Sequence, residues 1–304
     1  MSAHAQDEDT TNAYQALAGT IDHDDPRWAF GSGFEDAEAD IVAGVPDGAD
    51  PADLAAYCLM LGDDALVYSH RLTEWVSNAP ELEEEVALAN TALDLLGQAR
   101  VLLARAGHVE GRGRDEDALA YHREASGFRC IGLAEPSDDL DFARAIARLL
   151  VFSTWRLALL QRCESSTDPV IAAVATKGVK EVTYHRDHAA RWTLRLGDGT
   201  DESHARMQDA LEWVWPHLGE LFRTTEQERR LAAVGVAVDP ADTRDEVESV
   251  LDQVITRATL TRPEVPETGT IGGRGGRQGV HTEKLEQALV VMQSLARKHP
   301  GATW

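Results

Sequence analysis

LGDDALVYSHRLTEWVSNAPELEEEVALANTALDLLGQAR, residues 61–100, sets two long amphipathic segments almost end to end, and this constrains the fold more than any other feature of the chain. Leu54, Cys58, Leu61, Ala65, Tyr68, Leu72 and Trp75 recur at three- and four-residue steps, the period of one helix face. Asp50 and Pro51 supply the N-cap and first turn, and Asn78 with Pro80 marks the end. Pro80 opens a second helix, where Glu81, Glu83, Glu84 and Glu85 put negative charge on the positive end of the dipole. Leu82, Val86, Ala89, Leu93 and Leu96 are expected to form its buried stripe, and Gly107 its C′ terminator. So short a connection makes the two helices antiparallel neighbours.

Downstream the pattern stays helical. A short helix is expected over 114–124, then an irregular crossing over 127–135. A third helix follows over about 138–164 with Ser137 as its cap, and a fourth runs from Asp168 and Pro169 to near Gly197. Thr200 caps a helix containing Trp213 and Trp215, which Pro216 kinks or ends, the two tryptophans reading as core or interface aromatics. Thr243 and Glu246 read as a capping box for a helix to about residue 260. A Gly-rich loop, 269–279, leads to a last helix over about 282–298. No repeat and no strand pattern stands out. The expectation is an all-α, ferritin-like four-helix bundle with additional C-terminal helices over 51–304, preceded by an acidic, largely disordered tail over 1–50 whose only Lys or Arg is Arg27.

Charge excludes some functions. A net charge of −23 repels nucleic-acid phosphates, so no nucleic-acid role is expected. No apolar run reaches the roughly 20 residues that cross a bilayer, because Arg144, Arg148 and Arg156 interrupt the third helix, so no membrane role is expected either. No secretory signal is evident, and Cys58, Cys130 and Cys163 stand apart from one another, as in a reducing cytoplasm. Only Lys177, Lys180, Lys284 and Lys298 are lysines. The acidic, Lys-poor balance reads as salt adaptation, with an acidic docking surface as the alternative.

Inward charged and imidazole groups on four long helices are the setting for carboxylate-bridged di-iron sites. The segments LGDDALVYSHRLTEW, APELEEEVALANTALDLLGQAR, RLGDGTDES and GVHTEKLEQAL together resemble the C subunit of the bacterial and archaeal ring-1,2-phenylacetyl-CoA epoxidase, or phenylacetate-CoA oxygenase. The resemblance runs from about residue 51 to 304, and its most specific block is LDLLGQAR. It implies a multicomponent monooxygenase that epoxidises the ring of phenylacetyl-CoA with O2 and NADPH. A catalytic A subunit holds the di-iron centre, an NADPH-dependent reductase supplies electrons, and the C subunit is a non-catalytic partner. A homodimer is a further arrangement to consider.

The ligand count supports a non-catalytic role. A di-iron bundle needs a Glu from each of two helices and a Glu-x-x-His from each of the other two. On the second helix that register falls on Leu95 to Gln98, or on Asp94 to Gly97. Across 149–160 on the third helix there is no carboxylate, and Glu164 comes too late. The fourth offers Val182 with His185, or Glu181 with Tyr184. The first offers Glu74, with His70 and Asp63 along the same helix. Glu74 and His185 survive as ligand types, too few for two irons. No catalytic, cofactor or metal residue is therefore expected in this chain, and Glu74, Asp94, Gln98, Glu181 and His185 read as remnants of a degenerate site that hydrogen-bond one another.

Other readings stay open. His70 with Glu74 and Glu181 with His185 have the spacing of ordinary helix pairs, and Asn90 shares a stripe with Asp94. His185 and His188 could belong to a mononuclear zinc site, and the chain could be an independent metal-binding ferritin-like oxidase or storage protein. Residues 272–278 read as a flexible connection, the alternative being a cradle for a coenzyme A phosphate built on Arg274 and Arg277.

Overall fold

The computed structural model describes residues 41–137, 139–266, 272–300 and 302. Every regular element among them is helical: α1 (Pro51–Thr73), α2 (Leu82–Glu110), α3 (Glu116–Tyr121), α4 (Phe142–Cys163), α5 (Pro169–Gly197), α6 (Asp201–Val214), α7 (Leu218–Leu221), α8 (Glu226–Ala232), α9 (Arg244–Arg257) and α10 (Glu283–Lys298). α1 pairs with α2, α4 with α5, and the pairs join through α2 and α5, giving the ferritin-like bundle. α6 and α9 cover the α4–α5 side, whereas α8 and α10 lean on α1.

Caps set several boundaries. Asp50 accepts from the amides of Ala52 and Asp53, Asp168 from those of Val170 and Ile171, and Thr200 forms a reciprocal capping box with Ser203. Pro216 sits in a 3-10 turn that ends α6, as its missing N–H requires. Several expected boundaries are corrected. α1 stops at Thr73, before the expected Asn78 and Pro80, and α2 opens at Leu82 rather than at Pro80. α2 continues past Gly107 to Glu110 and stops at Gly111 (φ 66°), because Gly107 is needed inside the helix, where the Arg114 carbonyl crosses it. Asp141, not Ser137, caps α4, its carboxylate reaching the amides of Ala143 and Arg144. Thr243 makes no capping bond to α9, since its hydroxyl donates to the Pro240 carbonyl while Glu246 pairs with Arg162.

The largest correction concerns α2. Leu82, Val86, Leu93 and Leu96, expected inside, face out, and the packed face is Leu88, Ala92, Leu95, Ala99, Leu102 and Ala106. α2 carries two apolar faces, and by length and composition alone it is apolar enough to cross a membrane, unlike the expectation from the Arg-interrupted third helix.

Residues 1–40 of the expected tail lie outside the described residues. The described chain begins at Ile41, and Arg105 donates to the carbonyls of Ile41, Ala43 and Gly44, fastening this stretch to α2.

Candidate functional site

Where α1, α2, α4 and α5 meet, the apolar core gives way to a chain of polar groups. Gln98 lies on the packed face of α2, Glu181 and His185 one turn apart on α5, and Arg156 in the apolar middle of α4. Gln98 Nε2 donates to Glu181 Oε2 at 2.9 Å, and Gln98 Oε1 accepts from Arg156 Nε at 3.0 Å. The rest of the guanidinium faces the Leu61 carbonyl of α1 at 3.4 Å. Gly178 permits the approach, since a Cβ there would sit 2.8 Å from Leu160 Cδ1 and 3.3 Å from Gln98 Nε2. The α2–α5 seam also joins His185 Nε2 to Asp94 at 2.9 Å and sets His188 Nε2 3.1 Å from Glu84.

Burial tunes these groups. It lowers Arg156 from the usual guanidinium range to about 10, against the opposing pull of Asp64, so the group stays charged at neutral pH. It raises Glu181 and Glu84 and lowers His188. The structure thus unites four of the five candidate residues along one seam, Asp94, Gln98, Glu181 and His185, but not as a common set of ligands. Glu181 and His185 turn to different residues of α2 rather than to each other. Asn90 is exposed. Glu74 is elsewhere: it caps the far end of α1, more than three turns beyond Leu61, with its carboxylate 2.5 Å from Arg71.

Arg156 is the residue that sequence reasoning missed at this site. Its signal is present, a cation in the otherwise apolar 149–160 run, but in sequence it shows only as an interruption of an apolar span.

A second buried polar layer uses the LGDD and GVHTE segments. Asp63 accepts from Arg123 and from the Arg129 amide at 2.8 Å. Asp64 accepts from the Ile131 amide and holds Arg277 through both carboxylate oxygens at 2.9 and 2.8 Å. Arg277 is therefore neither part of a flexible connection nor free for a phosphate. Arg274 is exposed and reaches the Gln278 carbonyl at 3.4 Å, and residues 267–271 lie outside the described residues.

Cys130, Glu135 and His281 bring their donor atoms within 4.8 Å of one another. His281 Nδ1 faces Glu135 Oε1 at 2.7 Å and its Nε2 faces the Phe128 carbonyl at 3.0 Å. With acceptors on both sides, this arrangement suits an imidazolium, whose two nitrogens both donate. Burial opposes that charge most strongly of any single influence, but the hydrogen bond and charge of Glu135, the Phe128 carbonyl and Asp63 together outweigh it, and His281 is raised. Burial also pushes the Cys130 thiol up.

A family model described as phenylacetic acid catabolic protein matches residues 45–304. The C subunit of 1,2-phenylacetyl-CoA epoxidase from Escherichia coli (strain K12) is 43% identical over 251 residues, covering 83% of this chain and 99% of the relative.

Proposed function

The chain belongs to the phenylacetic acid catabolic protein family, and from that premise we propose that it is the C-type subunit of a phenylacetyl-CoA epoxidase, supporting a catalytic subunit rather than activating oxygen itself. A role in phenylacetate catabolism follows from the family and from the named relative. The non-catalytic role is carried by Arg156.

A di-iron centre needs about six carboxylate and imidazole donors converging on one space. The centre of this bundle offers an amide, a carboxylate and a guanidinium, and the guanidinium has five donor hydrogens and no lone pair. Its positive charge, fixed between Gln98 and the Leu61 carbonyl, repels a dication. These residues do not fit an iron pair, and no oxygen chemistry is routed through them. What they do is tie α1, α2, α4 and α5 together, which suits a rigid bundle packed against a catalytic neighbour that must admit a large thioester. The di-iron centre and the reductase that draws on NADPH belong, in this reading, to the other subunits.

The deciding experiment is metal analysis of the purified chain alone and of the complex formed with its catalytic subunit. Iron is expected only when the catalytic subunit is present, and turnover only in the complex. Stoichiometric iron in the isolated chain, lost on Glu181→Ala or His185→Ala, would overturn the reading.

A further inference from the structure

We propose that the outward stripe of α2, apolar with an acidic rim, is the surface on which the catalytic subunit docks, the subunit presenting an apolar face of its own flanked by basic side chains. The inference rests on the subunit reading above and goes on to name the contact.

Leu82, Val86, Leu93 and Leu96 are 42–71% exposed and succeed one another at three-, four- and seven-residue steps, with Ala89 between them. They form one ridge of about 21 Å along the helix. A helix apolar on both faces gains nothing from the outer one until something covers it. Its rim selects the occupant. Glu81, Glu83 and Glu85 crowd the first turn of the ridge, and the next cation along it, Arg100, faces Glu116 at 3.3 Å.

Charge excludes the two occupants closest to hand. A second copy packed antiparallel about the middle of the ridge sets Glu81, Glu83 and Glu85 against Gly97, Leu95 and Leu93 of its mate, which compensate none of them, and a parallel copy sets glutamate against glutamate. Residues 1–40 of the same chain carry ten acidic side chains and one Arg, so they meet the rim with like charge. An anionic membrane surface is repelled in the same way. A separate subunit with Arg or Lys beside an apolar ridge satisfies both parts of the surface, as at obligate interfaces.

The test co-expresses the chain with the catalytic subunit of its own epoxidase and measures affinity by co-elution and titration. Leu93→Ser/Leu96→Ser is expected to weaken binding by at least about tenfold, because the removed contacts lie in a desolvated ridge. The isolated variant should keep the wild-type Tm. Val290→Ser/Val291→Ser on α10, whose side chains are equally exposed, is expected to bind as wild type. Glu83→Arg/Glu85→Arg should also weaken binding, more at low salt than at high salt. Binding by the Leu93/Leu96 variant within twofold of wild type overturns the inference while leaving the subunit reading standing. So does a stripe whose loss only converts a dimer of this chain to monomer, or only abolishes adsorption to phosphatidylcholine vesicles. A wild-type chain that never co-elutes with the catalytic subunit overturns the subunit reading and the inference together.

Discussion

Arg156 Nε lies 3.0 Å from Gln98 Oε1, and this bond fixes a charged side chain, fully buried, in the heart of the bundle. The two residues are not equivalent in what their loss leaves behind. Gln98→Leu takes the closest partner from both the guanidinium and the Glu181 carboxylate, leaving them the Leu61 carbonyl and Lys177 at 3.4 Å, and should cost about 2–3 kcal/mol. Arg156→Met removes the buried charge itself and leaves Gln98 bonded to Glu181, so it should cost less. Urea unfolding of both variants checks the order, and a larger loss for Arg156→Met would contradict this account.

Arg105 and Asp168 form an ion pair with both side chains wholly buried, and Asp168 also caps α5. Arg105→Met leaves an unpaired carboxylate and should cost about 3–5 kcal/mol. Asp168→Ala adds the loss of the cap, about 1 kcal/mol more. Thermal or denaturant unfolding of both variants, compared with the double variant, measures the coupling. Additive losses would mean that the pair does not act as one.

His281 is raised in the folded chain above its unfolded value near 6.5. A group of this kind stabilises fully below the unfolded pKa, and the contribution fades as pH rises through the folded pKa. The stability gap between wild type and His281→Gln should therefore be larger at pH 6 than at pH 9. Urea midpoints at both values read it, and a gap that grows with pH would rule out the imidazolium at Glu135.

Gly107 and Gly111 separate two roles of glycine. A Cβ on Gly107 would stand 2.0 Å from the Arg114 carbonyl oxygen, so Gly107→Ala must push α2 from the following loop, at about 1–3 kcal/mol. Gly111 is left-handed with open space around it, so Gly111→Asn should cost less than about 1 kcal/mol, on the order of the strain alone. Equal losses on unfolding would refute the distinction.

Much of the molecule was legible in the linear chain. Helix periodicity and the caps at Asp50, Asp168 and Thr200 are local properties, set by residues a few positions apart, whereas the connection expected at Asn78–Pro80 proved to span 74–81. The failure of the Glu-x-x-His register was legible for the same reason, since it needs only one helix at a time. The bonds between Asp94 and His185 and between Gln98 and Glu181 were expected as a polar remnant without their partners being known.

What the chain order does not carry is which side of a helix meets which neighbour. α2 has apolar residues at both Leu88, Leu95, Leu102 and Leu82, Val86, Leu93, so periodicity alone admits either face, and only packing against α1 and α5 chose the first. Gly107 has the sequence context of a helix stop, yet a loop carbonyl crosses it inside the helix, and Arg277 sits in a Gly-rich stretch, yet Asp64, more than two hundred residues earlier, closes on it. Arg156 looks like a break in an apolar run, because a lone charge in sequence shows nothing of the amide and carbonyl that surround it. Sequence by itself determined the helices and the family, each from residues close together along the chain. Tertiary structure alone decided where the charges are buried and which apolar face is left uncovered, because desolvation and pairing depend on distances between residues far apart along the chain.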